Sequence, residues 1–463
     1  MSRHLTTRAQ VSGYRFGLAR AEHALVRRDV RMMHDPMRAQ TRSLIAGAIL
    51  AVVIVAGAGI YGFIRPQPAV KDAQIVTDDA GAVFVLLDEV MHPATNVASA
   101  RLILGQAAPV RHVSESALAT YPRGAQVGIV GAPSALAGAA DADRSTWTLC
   151  ESAGIDAVIV GATAPASPTA TALVESDGVV WLLYSAPETG GTATPVRASV
   201  DRGSVELLRG LGLESATPRP VAAGFLGSFP VRPALRVPDV PGRGGVGVLG
   251  MPVGSVVATA GADGTVRYHL ILRDAVQPLS AAAAEVMRLA DPAAGQTVRR
   301  VAPAEVATLP VREQVSLTHF PRTVPVISDD EQPVLCHRWS RGRDDSRAST
   351  QLLTARRLPV PDGGRPVALA SADGVGPALD LVYLAPGSGE HVLLTGVETD
   401  SRRASTPLYI SDAGVRYQLA GAETATMLGL DDPLLAPWPM VSLLPSGPEL
   451  SREAAAVTRD GTG

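Results

Sequence analysis

The sequence has 463 residues, with 41 basic against 44 acidic side chains and a formal net charge of −3. Forty of the basic residues are arginines, and Lys71 is the single lysine. So long a chain can bury more than one sizeable core. Its acidic balance leaves no basic stripe for phosphates, which excludes nucleic-acid recognition.

Residues 1–43 carry nine Arg and three acids (Glu22, Asp29, Asp35), a local charge of +6. Within them Thr7-x-x-Gln10 reads as a capping box, in which two side chains satisfy backbone N–H groups left open at a helix start. Tyr14, Leu18, Ala21, Leu25 and Met32 follow at three-, four- and seven-residue spacing. They form a narrow apolar stripe on an Arg-rich helix, with Arg20 and Arg27 alongside. Pro36 is expected to end that helix, because it lacks an N–H and its ring clashes with the preceding turn. Two readings stand. The helix lies on anionic lipid, or it docks its stripe (Tyr14, Leu18, Leu25, Met32, with Arg20 and Arg27 beside them) onto a protein partner.

Leu44–Ile64 is 21 residues without a charge. At about 1.5 Å per residue such a helix spans roughly 30 Å, the thickness of a bilayer's hydrocarbon core. Its Gly and Ala suit close packing among membrane helices. A cleaved signal peptide fits less well, since the preceding region is too long and the cleavage-like Ala56–Ala58 lies inside the apolar run. Arg28, Arg31, Arg38 and Arg42 crowd the N-terminal edge. Beyond the other edge, Arg65 and Lys71 sit beside Asp72, Asp78 and Asp79. The positive-inside rule then puts residues 1–43 in the cytoplasm and residues 65–463 outside.

Both cysteines, Cys150 in STWTLCES and Cys336 in PVLCHRWS, fall beyond the span, where an oxidising compartment favours one disulfide over two buried thiols. Each has a nearby Trp (Trp147, Trp339) in an apolar stretch, so both are expected in a core. Closing a loop of 186 residues would contribute at most about 5 kcal/mol by chain-entropy reckoning. Around the cysteines one pattern recurs: an acid–Gly turn, an alternating strand with an aromatic, a short Ala/Leu helix and a Pro-containing strand. Its copies are DDAGAVFVLLDEVMHPATNVASARLILG, then ESDGVVWLLYS with GSVELLRGLGL and GSFPVRP, then GADGTVRYHLILRD with SAAAAEVMRLADP and VATLPVRE. The last is ISDAGVRYQLAG with ETATMLGLDDP and PWPMVSLLP. The expected class is α+β: one N-terminal transmembrane helix, then four small αβ repeats at 65–115, 168–238, 239–318 and 401–447. They surround a mostly β, disulfide-stapled core domain assembled from 116–167 and 319–400. A polar tail, 448–463, is expected to fray.

No catalytic constellation is visible. GxxxxGK[ST] is absent, and Lys71 lies just past the span, so a P-loop lysine is excluded. G-x-S-x-G and HExxH are absent too. GRGGVGVLG at 242–250 is glycine-rich but lacks a βαβ context, so no nucleotide loop is expected there. His92 in MHPATN and His337 in LCHRW read as structural hydrogen-bond partners. No His or acid cluster completes a zinc set around the cysteines. The sequence therefore reads as a scaffold or binding protein without cofactor or metal.

TTRAQVSGYRF, EHALVRRDVRMMHDPMR, the single span, MHPATNVASARLILG, the WTLC/CHRW pair and APWPMVSLLPSGPELSREAA closely resemble the EccB family. These are membrane components of mycobacterial and actinobacterial type VII (ESX) secretion systems. The resemblance runs over essentially the whole chain. It implies a periplasmic repeat domain around a disulfide-bearing core, with self-association through that domain. It also implies assembly in the inner membrane with EccC (an FtsK/SpoIIIE-like motor ATPase), EccD and EccE, near the mycosin protease. EccB proteins have been described as ATPases, and the missing Walker A motif departs from that description. The expected role is an anchoring and oligomerising subunit. The alternatives are an atypical ATPase, with ATP as its only cofactor, and a periplasmic cell-wall-binding module.

Overall fold

The computed structural model describes residues 7–31, 36–64, 73–141, 143–169, 171–187, 193–291, 297–322, 324 and 332–459. The chain divides into two compact units, Met1–Ala69 and Val70–Gly463. In the first, the helix Arg8–Arg27 starts on the expected capping box. Thr7 accepts from the Gln10 N–H, and the Gln10 side chain accepts from the Thr7 N–H. The helix ends at Arg28, whose φ of 54° lies in the left-handed region and whose N–H bonds the Ala24 carbonyl. It thus stops well short of Pro36, which opens the second helix, Pro36–Ile64, instead of closing the first. At a helix's first position the missing N–H of proline forfeits nothing. The second helix contains the candidate membrane span Thr41–Tyr61, 21 residues and all exposed.

Four sheets of the second unit repeat one topology. Three antiparallel strands form a meander, a helix crosses back, and a short fourth strand lies parallel to the first. The first repeat has Ile75–Thr77, Val83–Leu87 and Val90–Ala94, the helix Val97–Leu104, and Val110–His112. The second has Thr171–Ser176, Val179–Pro187 and Ala193–Ser199, the helix Val205–Gly210, and Arg219–Pro220. The third has Val256–Ala260, Val266–Ile271 and Val276–Leu279, the helix Ala281–Leu289, and Arg299–Arg300. The fourth has Gly389–Thr395, Ser405–Ser411 and Arg416–Gln418, the helix Ala422–Leu428, and Leu434–Pro437. Each chain segment then returns in a parallel bridge beside strand three: Met91–Arg123, Arg197–Val231, Val276–Val311 and Arg416–Ser446. Capping side chains fix three of the helix starts. Asn96 accepts from the Ser99 N–H, Ser204 from Leu207 and Ser280 from Ala283.

Two further expectations need correction. The fourth repeat begins at Gly389, not at 401, so its first strand does not belong to the core. In the first three copies the acid–Gly turn joins strands one and two. In the fourth, Ser411–Gly414 joins strands two and three, and residues 396–404 link the first pair without such a turn. A pattern keyed to the turn is therefore displaced by one strand. Residues 448–459 of the tail do not fray either, and 460–463 lie outside the described residues. Ser451 caps the helix Arg452–Ala455, Leu450 and Ala455 are fully buried, and Thr458–Arg459 pairs with Gln126–Val127 at the edge of the first repeat's sheet.

Between the repeats lies a seven-stranded sheet in the order Val367–Ala368, Leu381–Tyr383, Ile155–Val160, Arg144–Ser152, Val334–Gly342, Ser349–Ala355, Ser167–Pro168. It interleaves strands from the two cysteine-bearing stretches. The repeats pack in pairs: the second and third share one buried cluster, the first and fourth another.

Candidate interaction surfaces around a stapled centre

Strands Arg144–Ser152 and Val334–Gly342 run antiparallel and place Cys150 directly opposite Cys336. The two form a disulfide, with Cα atoms 4.0 Å apart. Trp147 and Trp339 face each other three rungs along the same ladder, both fully buried. Because side chains alternate between faces, the two pairs serve different cores. The cystine packs with Ile159, Val334, Leu353 and Tyr383. The tryptophans pack with Phe225 and Phe229 of the second repeat and with Ile410 and Met440 of the fourth. The staple thus holds the sheet whose other face carries the repeats.

The buried polar groups of this centre are arranged for structure. His337 Nδ1 lies 2.9 Å from Ser228 Oγ, and the Ser228 hydroxyl donates to the Phe225 carbonyl at 2.8 Å. With its one proton so committed, Ser228 accepts from Nδ1–H, the reverse of a nucleophile handing its proton to a base. Complete burial pushes the imidazole down to about 3, and the ring stacks on Phe229 at 4.1 Å between centroids. His92 Nδ1 likewise donates to the Ala125 carbonyl at 2.9 Å. Asp156 is pushed up to about 7, first by burial and then by Glu151, Asp380 and Asp373. The Asp380 carboxylate accepts the N–H groups of Asp156, Asp373 and Gly374 and so ties the 369–380 loop to the sheet. Residues 242–250 form turns closed by the Val246–Pro252 bridge. They end in the single 3-10 turn Val248–Gly250 and lead into the strand Val256–Ala260, so no α-helix follows the glycines to receive a phosphate.

On the arm, Tyr14, Leu18 and Leu25 are 73%, 50% and 82% exposed, so the described structure covers none of the stripe. Arg20 and Arg27 are exposed on its flank. Met32 lies outside the described residues. Phe16 and Val26 are also exposed, and His23 is the helix's buried residue; the sequence reading had singled out none of these. A further surface escaped it altogether. An open groove of about 590 Å³ on the fourth repeat is lined by Thr395, Glu398, Arg403, Arg416, Gln418 and Trp438, among others. The Arg416 guanidinium lies over the half-exposed Trp438 ring, 5.4 Å from its centroid. These residues are scattered over the fourth repeat and converge only through its sheet.

Among the described residues one membrane-length apolar helix, followed in the chain by paired repeats around a stapled sheet, defines a membrane-associated repeat protein. Residues 3–463 match the family described as type VII secretion system ESX-1, transport TM domain B. The chain belongs to this family, EccB. It is 34% identical to the ESX-3 secretion system ATPase EccB3 of Mycolicibacterium smegmatis, over 99% of this chain and 92% of that one. A chain in the intact ESX-5 inner membrane complex superposes with a TM-score of 0.71 at 31% identity, covering 100% of this chain and 97% of that one. The EccB3 dimer from the ESX-3 core complex gives 0.70 at 31% identity, over 83% of this chain and all of that one.

Proposed function

We propose that this protein is a structural subunit of an inner-membrane type VII secretion complex. It is anchored by Thr41–Tyr61 and self-associates through its repeats, with residues 7–31 in the cytoplasm and 73–459 in the periplasm. The observation that carries this reading is architectural. The whole chain superposes on a chain in the intact ESX-5 inner membrane complex. The family resemblance supplies the expected partners: EccC, EccD, EccE and the mycosin protease. The relatives' names include ATPase. This chain has no Walker lysine, and the hydroxyl of its buried Ser228–His337 pair is committed to the Phe225 carbonyl, so the scaffold reading is preferred. Orientation is tested by thiol labelling of intact spheroplasts with a membrane-impermeant reagent. A cysteine at exposed Ser371 is expected to react, and one at Ser2 to stay protected. Labelling at Ser2 would reverse the topology.

A further inference from the structure

Strand Gly389–Thr395 carries Glu390, 5% exposed, into the seam between the fourth repeat and the central sheet. There Trp147 Nε1 donates to Ser145 Oγ at 2.9 Å, and the Ser145 hydroxyl donates to Glu390 Oε2 at 3.0 Å. The segment leading out of the first repeat passes through the same seam. Gly389 N–H bonds the Gly138 carbonyl, and Tyr409 Oη accepts the Ala137 N–H at 3.0 Å. Among the described residues the charged group that faces Glu390 is Asp141, another acid. From the sheet come only Ser145 and Trp147. Arg341, the register partner of Ser145, directs its guanidinium to the carbonyls of Asp345, Ser346 and Ser401.

We propose that Glu390 is a proton-operated latch: protonated, it holds the fourth repeat closed on the central sheet, and ionised, it loosens that seam. A carboxylate in this position has two neutral donors, the Ser145 hydroxyl and the Trp147 indole N–H, no cation and an acid across from it, whereas a neutral carboxyl suits the apolar surroundings. Burial accordingly pushes the group up from 4.5 to about 7. The closed seam therefore holds the proton more tightly than an open one. Its extra stability is present in full below pH 4.5 and is lost as pH rises through about 7. What the latch frees is the repeat bearing the Trp438 groove, together with the first repeat that shares its core.

The test is hydrogen exchange of the full chain in detergent between pH 5 and 8, with rates corrected for their intrinsic pH dependence. Opening of segments 389–395 and 144–147 is expected to rise roughly tenfold per pH unit up to about pH 7 and then level off. Glu390→Gln, isosteric and uncharged, is expected to abolish the slope and keep acid-level protection throughout. Asp156→Asn, which neutralises another buried acid pushed up to about 7, should leave the slope in place. Ser145→Ala removes one of the two donors that favour the ionised form and should move the midpoint upward. A wild-type profile without slope, a slope that survives Glu390→Gln, or a midpoint unmoved by Ser145→Ala would overturn the latch.

Discussion

The two repeat pairs solve one packing problem by different means. Repeats two and three are neighbours in sequence, and their helices Val205–Gly210 and Ala281–Leu289 meet through a purely apolar cluster: Leu207, Leu211, Leu213, Ala283, Val286 and Met287. The crossing is close because Gly210 has no side chain. A Cβ there would lie 2.7 Å from Val286 Cα and 2.8 Å from its backbone nitrogen. Repeats one and four come from opposite ends of the unit and add directional bonds to their apolar cluster. Arg101 donates to the Leu428 carbonyl, 327 residues away, at 2.6 Å, and to the Ala108 carbonyl at 3.3 Å. The tail then lays Leu450 and Ala455 into the same cluster and a strand along the first repeat's edge. The helices of the adjacent repeats meet by shape, with the Tyr184 hydroxyl donating to the His319 carbonyl beside their cluster, while the distant pair adds the Arg101 bonds and the tail. The entropy of closing so long a loop makes the added fasteners useful there.

The contrast can be broken most strongly at the tail. Deleting residues 449–463 should destabilise the first–fourth pair by about 3–5 kcal/mol, since it exposes a cluster that a fully buried Leu had covered. Denaturant unfolding with exchange mass spectrometry on the full-length background should place the loss in repeats one and four, with two and three protected. A tail that merely frays would change nothing. Next in size, Gly210→Val should weaken the second–third pair by about 1–3 kcal/mol through backbone overpacking, and Val286→Ala should not rescue it, because the clash is with main chain. Smaller again, Arg101→Met should loosen the first–fourth pair by about 1–2 kcal/mol by leaving the Leu428 carbonyl without its donor. The corresponding exchange signal in repeats two and three should not move.

What the sequence made legible was whatever local chemistry announces. The Thr7–Gln10 box, the uncharged span, the acid–Gly turns of the first three repeats and the cysteine–tryptophan stretches all carry their signal within a few residues. Even the central sheet was readable as two interrupted stretches, because each fails the repeat pattern and each holds one cysteine. The rest depended on distant partners. Strand Gly389–Thr395 lacks the marking turn, so only its pairing with Ser405–Ser411 and Leu434–Pro437 assigns it to the fourth repeat. The tail reads as polar because, among its described residues, just two apolar side chains, Leu450 and Ala455, are fully buried, and its two-residue strand pairs with a segment near the start of the unit. Glu390 and the Trp438 groove were silent for the same reason: burial and convergence are properties of the fold. Pro36 was misread because proline marks helix starts as well as helix ends.

The central claim, a surface-driven subunit of a secretion complex, is tested most directly by the native mass of the full chain after mild-detergent extraction from its own membranes. Wild type is compared with Leu18→Asp/Leu25→Asp and with Arg20→Gln/Arg27→Gln. Burying two leucine-sized side chains contributes about 1.5–3 kcal/mol each, whereas each exposed ion pair contributes about 0–1 kcal/mol. The account predicts that wild type migrates far above a dimer together with the motor ATPase. The leucine variant should drop out of that species while staying inserted and disulfide-bonded, and the arginine variant should be weakened slightly, more at high salt. A wild-type protein that extracts alone and turns over ATP would contradict the scaffold role. Arginine changes that dissolve the assembly while leucine changes do not would show that the arm binds lipid headgroups instead.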